Sequence, residues 1–180
     1  MFKKIFMILL LFFMLTSCKV KRLENSELEY RNKITYEKSS KKKFTGIKVR
    51  KYEDGSPKEE VTYKNGIREG KNIFFHKNGK PAIEGFYKNG KPNGKKTFWD
   101  ENGKKQMELH YLNGVRHGKF IQWNKNGTLK TESNFKFGEL DGISKSYDKN
   151  GVKRMEAFFK NGKRSIKNTQ RWDSKGNKIK

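Results

Sequence analysis

Glu60, Glu84, Glu108, Glu132 and Glu156 recur once every 24 residues. A carboxylate repeated in register is what a row of metal ligands or general bases would require. Such a row needs partners, and the candidates are poorly placed. His76, His110 and His117 stand at unrelated points of the period. Only His110 and His117 are near each other, with no thiol or carboxylate at ligand spacing. No nucleophile sits beside a base, and no glycine-rich loop leads into Lys-Ser or Lys-Thr and a helix. The reading is therefore a non-enzymatic chain without catalytic residues, metal or cofactor. The glutamates are expected to pair with lysines across strands, at a few tenths of a kcal/mol per pair.

The remaining reactive group is the single cysteine, Cys18. One thiol forms no intramolecular disulfide and no thiolate zinc cluster. Its position is more informative. The chain opens Met1-Phe2-Lys3-Lys4 and then runs uncharged from Ile5 to Leu15. That is a basic n-region followed by an apolar h-region of secretory length. At about 1.5 Å per residue the apolar run is about 16 Å long, too short to span a bilayer as a helix. It ends Leu15-Thr16-Ser17-Cys18, which resembles the lipobox of bacterial lipoproteins. The resemblance implies cleavage before Cys18 and acylation of its thiol. Each buried lipid CH₂ adds about 0.8 kcal/mol, so two or three acyl chains anchor a protein stably. The next residue is Lys19 rather than Asp. By analogy with lipoprotein sorting in enteric bacteria, this favours an outer-membrane or cell-surface destination.

Composition limits the architecture of the chain beyond the signal. Of 180 residues, 32% are hydrophobic, and many of those lie in the first 17, whereas aromatics make up 13% of the chain. A thick aliphatic core is excluded; a sheet whose faces are covered by a few rings is not. The 43 Lys and Arg against 19 Asp and Glu give a net charge of +24. Such an excess draws phosphates, anionic lipids and acidic polymers without specifying any of them. Residues 18–43, with nine Lys or Arg and four Glu, read as a lipidated cysteine and a basic tether, partly helical at best around Leu23–Tyr30.

The elements that position everything else are set by glycine. Three series keep the 24-residue period: Gly46, Gly70, Gly94, Gly118, Gly142; Gly55, Gly79, Gly103, Gly127, Gly151; and Gly66, Gly90, Gly114, Gly138, Gly162. Asn or Asp precedes most members of the last two series, and Phe137 stands in that place before Gly138. Asn-Gly between β-type runs signals a hairpin with a type I′ turn, because both central residues take positive φ. Each unit is two strands and two turns. Five full repeats occupy 46–165 within an array over 44–180. A degenerate half-repeat with Trp172 and Gly176 follows, one residue out of phase. Alternation predicts one aromatic face carrying both Tyr87, Tyr111, Phe135, Phe159 and Phe75, Trp99, Trp123, Tyr147, with the glutamates opposite. These eight rings are the candidate interaction surface.

The run Tyr87-Lys88-Asn89-Gly90-Lys91-Pro92-Asn93-Gly94-Lys95, with a Glu ahead of each aromatic, resembles the bacterial MORN-repeat variant of YwqK-type, antitoxin-like proteins. The resemblance spans about 44–176. It implies an all-β, elongated, twisted antiparallel sheet of stacked hairpins, here behind a signal helix and a linker. It implies interaction rather than chemistry. The expected function is a membrane-anchored, surface-exposed binding module for a protein or polyanionic partner. A structural envelope scaffold and an antitoxin-like neutraliser of a partner protein are the alternatives. Nucleic acid is set aside, because an exported, lipid-anchored protein rarely meets it.

Overall fold

The computed structural model describes residues 20–179, so the signal segment 1–17 and the lipobox Leu15, Thr16, Ser17 and Cys18 lie outside the described residues. In chain order the strands are β1 (Arg22–Glu24), β2 (Leu28–Arg31), β3 (Ile34–Glu37), β4 (Gly46–Lys51), β5 (Pro57–Lys64), β6 (Ile67–Phe75), β7 (Pro81–Lys88), β8 (Lys91–Pro92), β9 (Gly94–Trp99), β10 (Lys105–Leu112), β11 (Val115–Trp123), β12 (Leu129–Lys136), β13 (Glu139–Leu140), β14 (Gly142–Tyr147), β15 (Lys153–Lys160), β16 (Lys163–Trp172) and β17 (Lys178–Ile179). All but β2 and β3 belong to one 15-stranded sheet that follows chain order, the two-residue strands β8 and β13 pairing beside β9 and β14 on β7 and β12. Every pairing in it is antiparallel except β1 with β4. Among the described residues there is no α-helix. The all-β array of hairpins expected from the glycine period is therefore the fold.

The two turns of each unit differ. Along one long edge both central residues have positive φ: Asn65 and Gly66 at 51° and 78°, Asn161 and Gly162 at 47° and 75°. These are type I′ turns, whose twist matches that of the strands they join. Along the other edge only the glycine is left-handed, as at Gly79 with φ 78°. There the Gly79 N–H donates to the His76 carbonyl at 2.9 Å and the His76 N–H to the Lys80 carbonyl at 2.9 Å. This is a turn of the ordinary hand closed by a glycine bulge. The expectation of type I′ at every Asn-Gly thus holds for one edge and fails for the other. A side chain explains the second edge. Asp100 accepts from the N–H groups of Asn102 at 3.0 Å and Lys104 at 2.9 Å, which favours a turn without positive φ at the asparagine.

The segment 22–43, expected as a tether, is folded. β1 pairs with β4 from Arg22↔Ile47 to Glu24↔Val49, and β2 and β3 form a separate hairpin. Phe44, fully buried, joins Leu28, Val61 and Tyr63 in the chain's hydrophobic cluster, with Leu23 packed against it. Backbone bonds lock the hairpin onto the first I′ turn. Thr35 N–H donates to the Gly66 carbonyl, Gly66 N–H to Phe44, and Phe44 N–H to Thr35. The few apolar residues of a lysine-rich stretch suffice because they pack onto Val61 and Tyr63 at the end of the sheet. Burying a Phe or Val contributes about 1.5–3 kcal/mol.

Candidate interaction surfaces of the array

Two irregularities in every unit decide what each face carries. The first is the glycine series at Gly70, Gly94, Gly118 and Gly142, with φ between 92° and 102°. At Gly70 the register slips: Val61 faces Asn72 and Tyr63 faces Arg68, so three residues of β6 lie opposite Thr62. The second lies at the strand end, where Phe74 pairs with Ile83 but Phe75 with Pro81. Glycine makes the first bulge inexpensive because no side chain is strained at positive φ.

The slip at Gly70 adds two residues and keeps each face, whereas counting parity along each strand separately misses the hairpin register and the one-residue slip at the strand end. Ile73 pairs with Glu84 and Glu60, and Phe74 with Ile83 and Glu59. The same holds one unit on, where Thr97 pairs with Glu108 and Phe98 with Met107. The expected single aromatic face is therefore split. Tyr87, Tyr111, Phe135 and Phe159 share one face with Phe74, Phe98 and Phe120. Phe75, Trp99, Trp123 and Tyr147 lie on the other, with the glutamate row. All eight rings are half-buried.

On the first face the rings hold cations. The Arg68 guanidinium lies 5.4 Å from the Tyr87 centroid, and Arg116 lies 5.5 Å from that of Phe135. Burial opposes the charge on Arg68, yet Tyr63 and Tyr87 together raise its pKa. Lys96 lies over the Phe98 ring at 5.2 Å and covers Gly85, where a Cβ would meet its Cγ at 3.2 Å. Burial lowers its pKa. On the second face Glu84 meets Lys71 at 2.7 Å, Glu108 meets Lys105 at 3.1 Å, Glu132 meets Lys119 at 3.5 Å and Glu156 meets Lys153 at 3.0 Å. Glu60 pairs with Arg22. Each glutamate of the row thus has a cation. Lys105 and Lys153 also sit over Trp123 and Trp172, at 5.9 and 4.0 Å. Half-exposed pairs of this kind contribute at most about 1 kcal/mol each.

The histidines have structural partners. His76 Nε2 donates to the Trp99 carbonyl at 3.0 Å and His110 Nδ1 to that of Lys119 at 3.2 Å. His117 belongs to a series invisible until the turns are stacked. The side chains of Thr45, Glu69, Asn93, His117 and Asp141 each accept the backbone N–H of the residue twenty positions later, at Asn65, Asn89, Asn113, Phe137 and Asn161. Each I′ turn is thereby bonded to the residue just ahead of a glycine of the Gly46 series, from Thr45 before Gly46 to Asp141 before Gly142. The 24-residue spacing of these acceptors is the signal the sequence carries; their differing chemistry hides it. Among the described residues no group of three His, Cys, Asp or Glu is placed to hold a metal.

The more exposed apolar groups lie elsewhere. Phe137 occupies the first left-handed position of its I′ turn, at φ 50°, where four other copies have asparagine. A bulky residue there costs about 1–2 kcal/mol. The residue is 65% exposed, and its ring centroid lies 5.1 Å from that of His117. Between the β2–β3 hairpin and the first repeat lies a cleft of about 450 Å³, lined by Leu28, Tyr30, Lys33, Lys48, Tyr63 and Arg68 among others.

Compared with known families, segments 44–65, 68–89, 92–113, 116–137 and 140–161 each match the MORN repeat variant, every one starting 24 residues after the last. A comparison with curated proteins returns no match.

Proposed function

The chain belongs to the MORN repeat variant family, and from that premise we propose that it is an exported, lipid-anchored binding module of the bacterial YwqK type. Arrays of this family are generally interaction modules and typically non-enzymatic. The finer reading is a protein held by Cys18 on the outer membrane or cell surface, engaging a protein or acidic polymer through its sheet. The observation that carries it is the distance from Cys18 to folded chain. The lipobox cysteine stands four residues before Arg22, where β1 begins. Four extended residues reach about 13–14 Å. The sheet is then presented at the bilayer itself and not on a long leash, a placement that suits recognition at a surface.

One experiment with two arms tests this. Full-length protein and C18A are expressed in bacteria with a labelled fatty acid. Label is expected on the wild type and absent from C18A; label on neither refutes the anchor. Wild-type protein is then used for affinity capture from envelope extracts beside Y111A/F135A and W99A/W123A. The module reading expects a partner lost with one pair and kept with the other. A partner retained by both pairs, or none at all, removes the sheet faces as the binding surface.

A further inference from the structure

The cleft between the β2–β3 hairpin and the first repeat has a buried lining and a cationic rim. Leu28, Thr35 and Tyr63 line it and are buried. Its two walls are tied together: the Thr35 N–H donates to the Gly66 carbonyl at 2.9 Å, and the Gly66 N–H to that of Phe44 at 2.7 Å. Lys33 and Arg68 are exposed at its rim. Tyr30 joins them there, 73% exposed.

Charge in the cleft is unbalanced. Among its described lining residues, Lys33, Lys48 and Arg68 face one carboxylate, Glu29. Glu29 is already shared with Lys41, at 3.7 Å. The Lys48 side chain, 12% exposed, has Glu59 at 3.5 Å, but Glu59 also serves Arg50 at 3.4 Å. Arg68 lies on the Tyr87 ring.

Folding does not require this arrangement. Asn32 and Lys33 form the I′ turn of the hairpin, with φ of 51° and 64°. In the repeats the second place of that turn is glycine in every copy, from Gly66 to Gly162. Lysine takes positive φ only against the crowding of its Cβ. The chain therefore keeps a strained residue at the hairpin tip, and that residue sets a cation at the cleft. Strain kept at an exposed position marks a site that acts on something outside the fold.

We propose that this cleft binds an anionic sugar, one ring carrying a carboxylate or a phosphate, with the acid group held by Lys33, Lys48 and Arg68 and the ring laid against the wall of Tyr30 and Tyr63. The volume, about 450 Å³, lies in the range of small-ligand pockets. A sugar ring has apolar C–H faces and a polar rim, which suits tyrosine rings set among charged side chains. The Arg68 guanidinium offers a planar fork for two acid oxygens. The hairpin wall precedes the first family repeat, which begins at residue 44. The site therefore belongs to this chain's own cap, apart from the sheet faces, and does not depend on acylation of Cys18.

The test uses the full chain with C18S, labelled with nitrogen-15 and titrated with galacturonate, glucose 6-phosphate and neutral galactose. Saturable shifts are expected at the amides of Lys33, Thr35, Gly66 and Arg68 with an acidic sugar, and none with galactose. The acid that binds identifies the group the cations recognise. K33G is expected to weaken binding several-fold while raising the thermal midpoint, since it restores the residue the turn prefers. Y30A is expected to weaken binding without unfolding the protein, and K163Q, on the last I′ turn, to leave it unchanged. Shifts of equal size at every lysine-flanked turn, or an affinity indifferent to K33G, overturn the site in favour of attraction by charge alone. Galactose binding as tightly as galacturonate overturns the role of the cations, and silence with all three sugars overturns the proposal. None of these outcomes touches the anchor, because the titrated protein lacks the Cys18 thiol.

Discussion

The two ends of the sheet are finished by different means. At the N-terminal end, Phe44, Leu28, Val61 and Tyr63 form a cluster covered by a hairpin and a parallel strand. At the C-terminal end the equivalent inward positions hold Ser133, Ser144 and Ala157, with the two serine hydroxyls 2.7 Å apart. Among the described residues only the two-residue β17 pairs with the outer side of β16, at Arg171 and Trp172. One end is closed by burying carbon and the other by thinning out until little needs covering. A repeat array has to cap its terminal units; here charge and small residues suffice where a core would otherwise be required. Lysines along β16 also discourage pairing by another chain.

Phase is lost at the same C-terminal end, for a reason visible in one residue. The bulge position filled by Gly70, Gly94, Gly118 and Gly142 is Ile166 in the last copy. Isoleucine does not adopt φ near 95°. Instead Phe158 pairs with Ser165 and Glu156 with Gln170, so four residues bulge where three do elsewhere. Ile166 is left 82% exposed, and the Thr169 hydroxyl closes the loop on the Ser165 carbonyl at 2.7 Å.

Substitutions can sharpen or break this contrast. The largest effect is expected for F44A, which removes a ring with no exposure; urea unfolding should show a loss of about 3–5 kcal/mol. If the loss is below about 1 kcal/mol, the cap is not what closes the N-terminal end. Next come matched glycines in two I′ turns. A Cβ on Gly66 would lie 2.4 Å from Ile34 Cγ2 and 2.6 Å from the Thr35 carbonyl oxygen, whereas at Gly162 its nearest contacts are Glu139 side-chain atoms at 3.8 Å. G162A is expected to cost only the left-handed conformation, about 1–2 kcal/mol, and G66A clearly more. Equal losses would mean the hairpin yields freely. The smallest effect is expected for I166G, which restores the bulge residue. Amide exchange in β16 should slow modestly while β5 stays unchanged.

Much of the fold is legible in residue spacing, and what is not legible has separate physical causes. Glycine and asparagine report backbone conformation directly, so the period, the hairpins and the register of Gly66, Gly90 and Gly114 can be read. Face assignment cannot, because alternation within one strand does not say which parity of the next strand lies opposite; the hairpin register and the one-residue slip after Phe74 decide that. Spacing alone therefore groups Trp99 and Trp123 with Tyr111 although the sheet divides them. The cap is hidden for a different reason. Leu28 and Phe44 look isolated in a basic stretch, and their partners Val61 and Tyr63 belong to the first repeat. The acceptors Thr45, Glu69, Asn93, His117 and Asp141 share a geometric duty but no side-chain type, so residue identity conceals them.

That last series has a consequence for how such a protein changes in size. Each acceptor grips the turn of the hairpin that follows it, and every junction has the same form. Removing or duplicating one whole 24-residue block joins a donor to an acceptor it already fits, wherever the cut is made. A cut of any other length leaves a turn without its clasp at the splice. The molecule behaves as a ruler graduated in fixed steps. Its reach can be reset by recombination in whole steps, while the two dissimilar ends stay as they are.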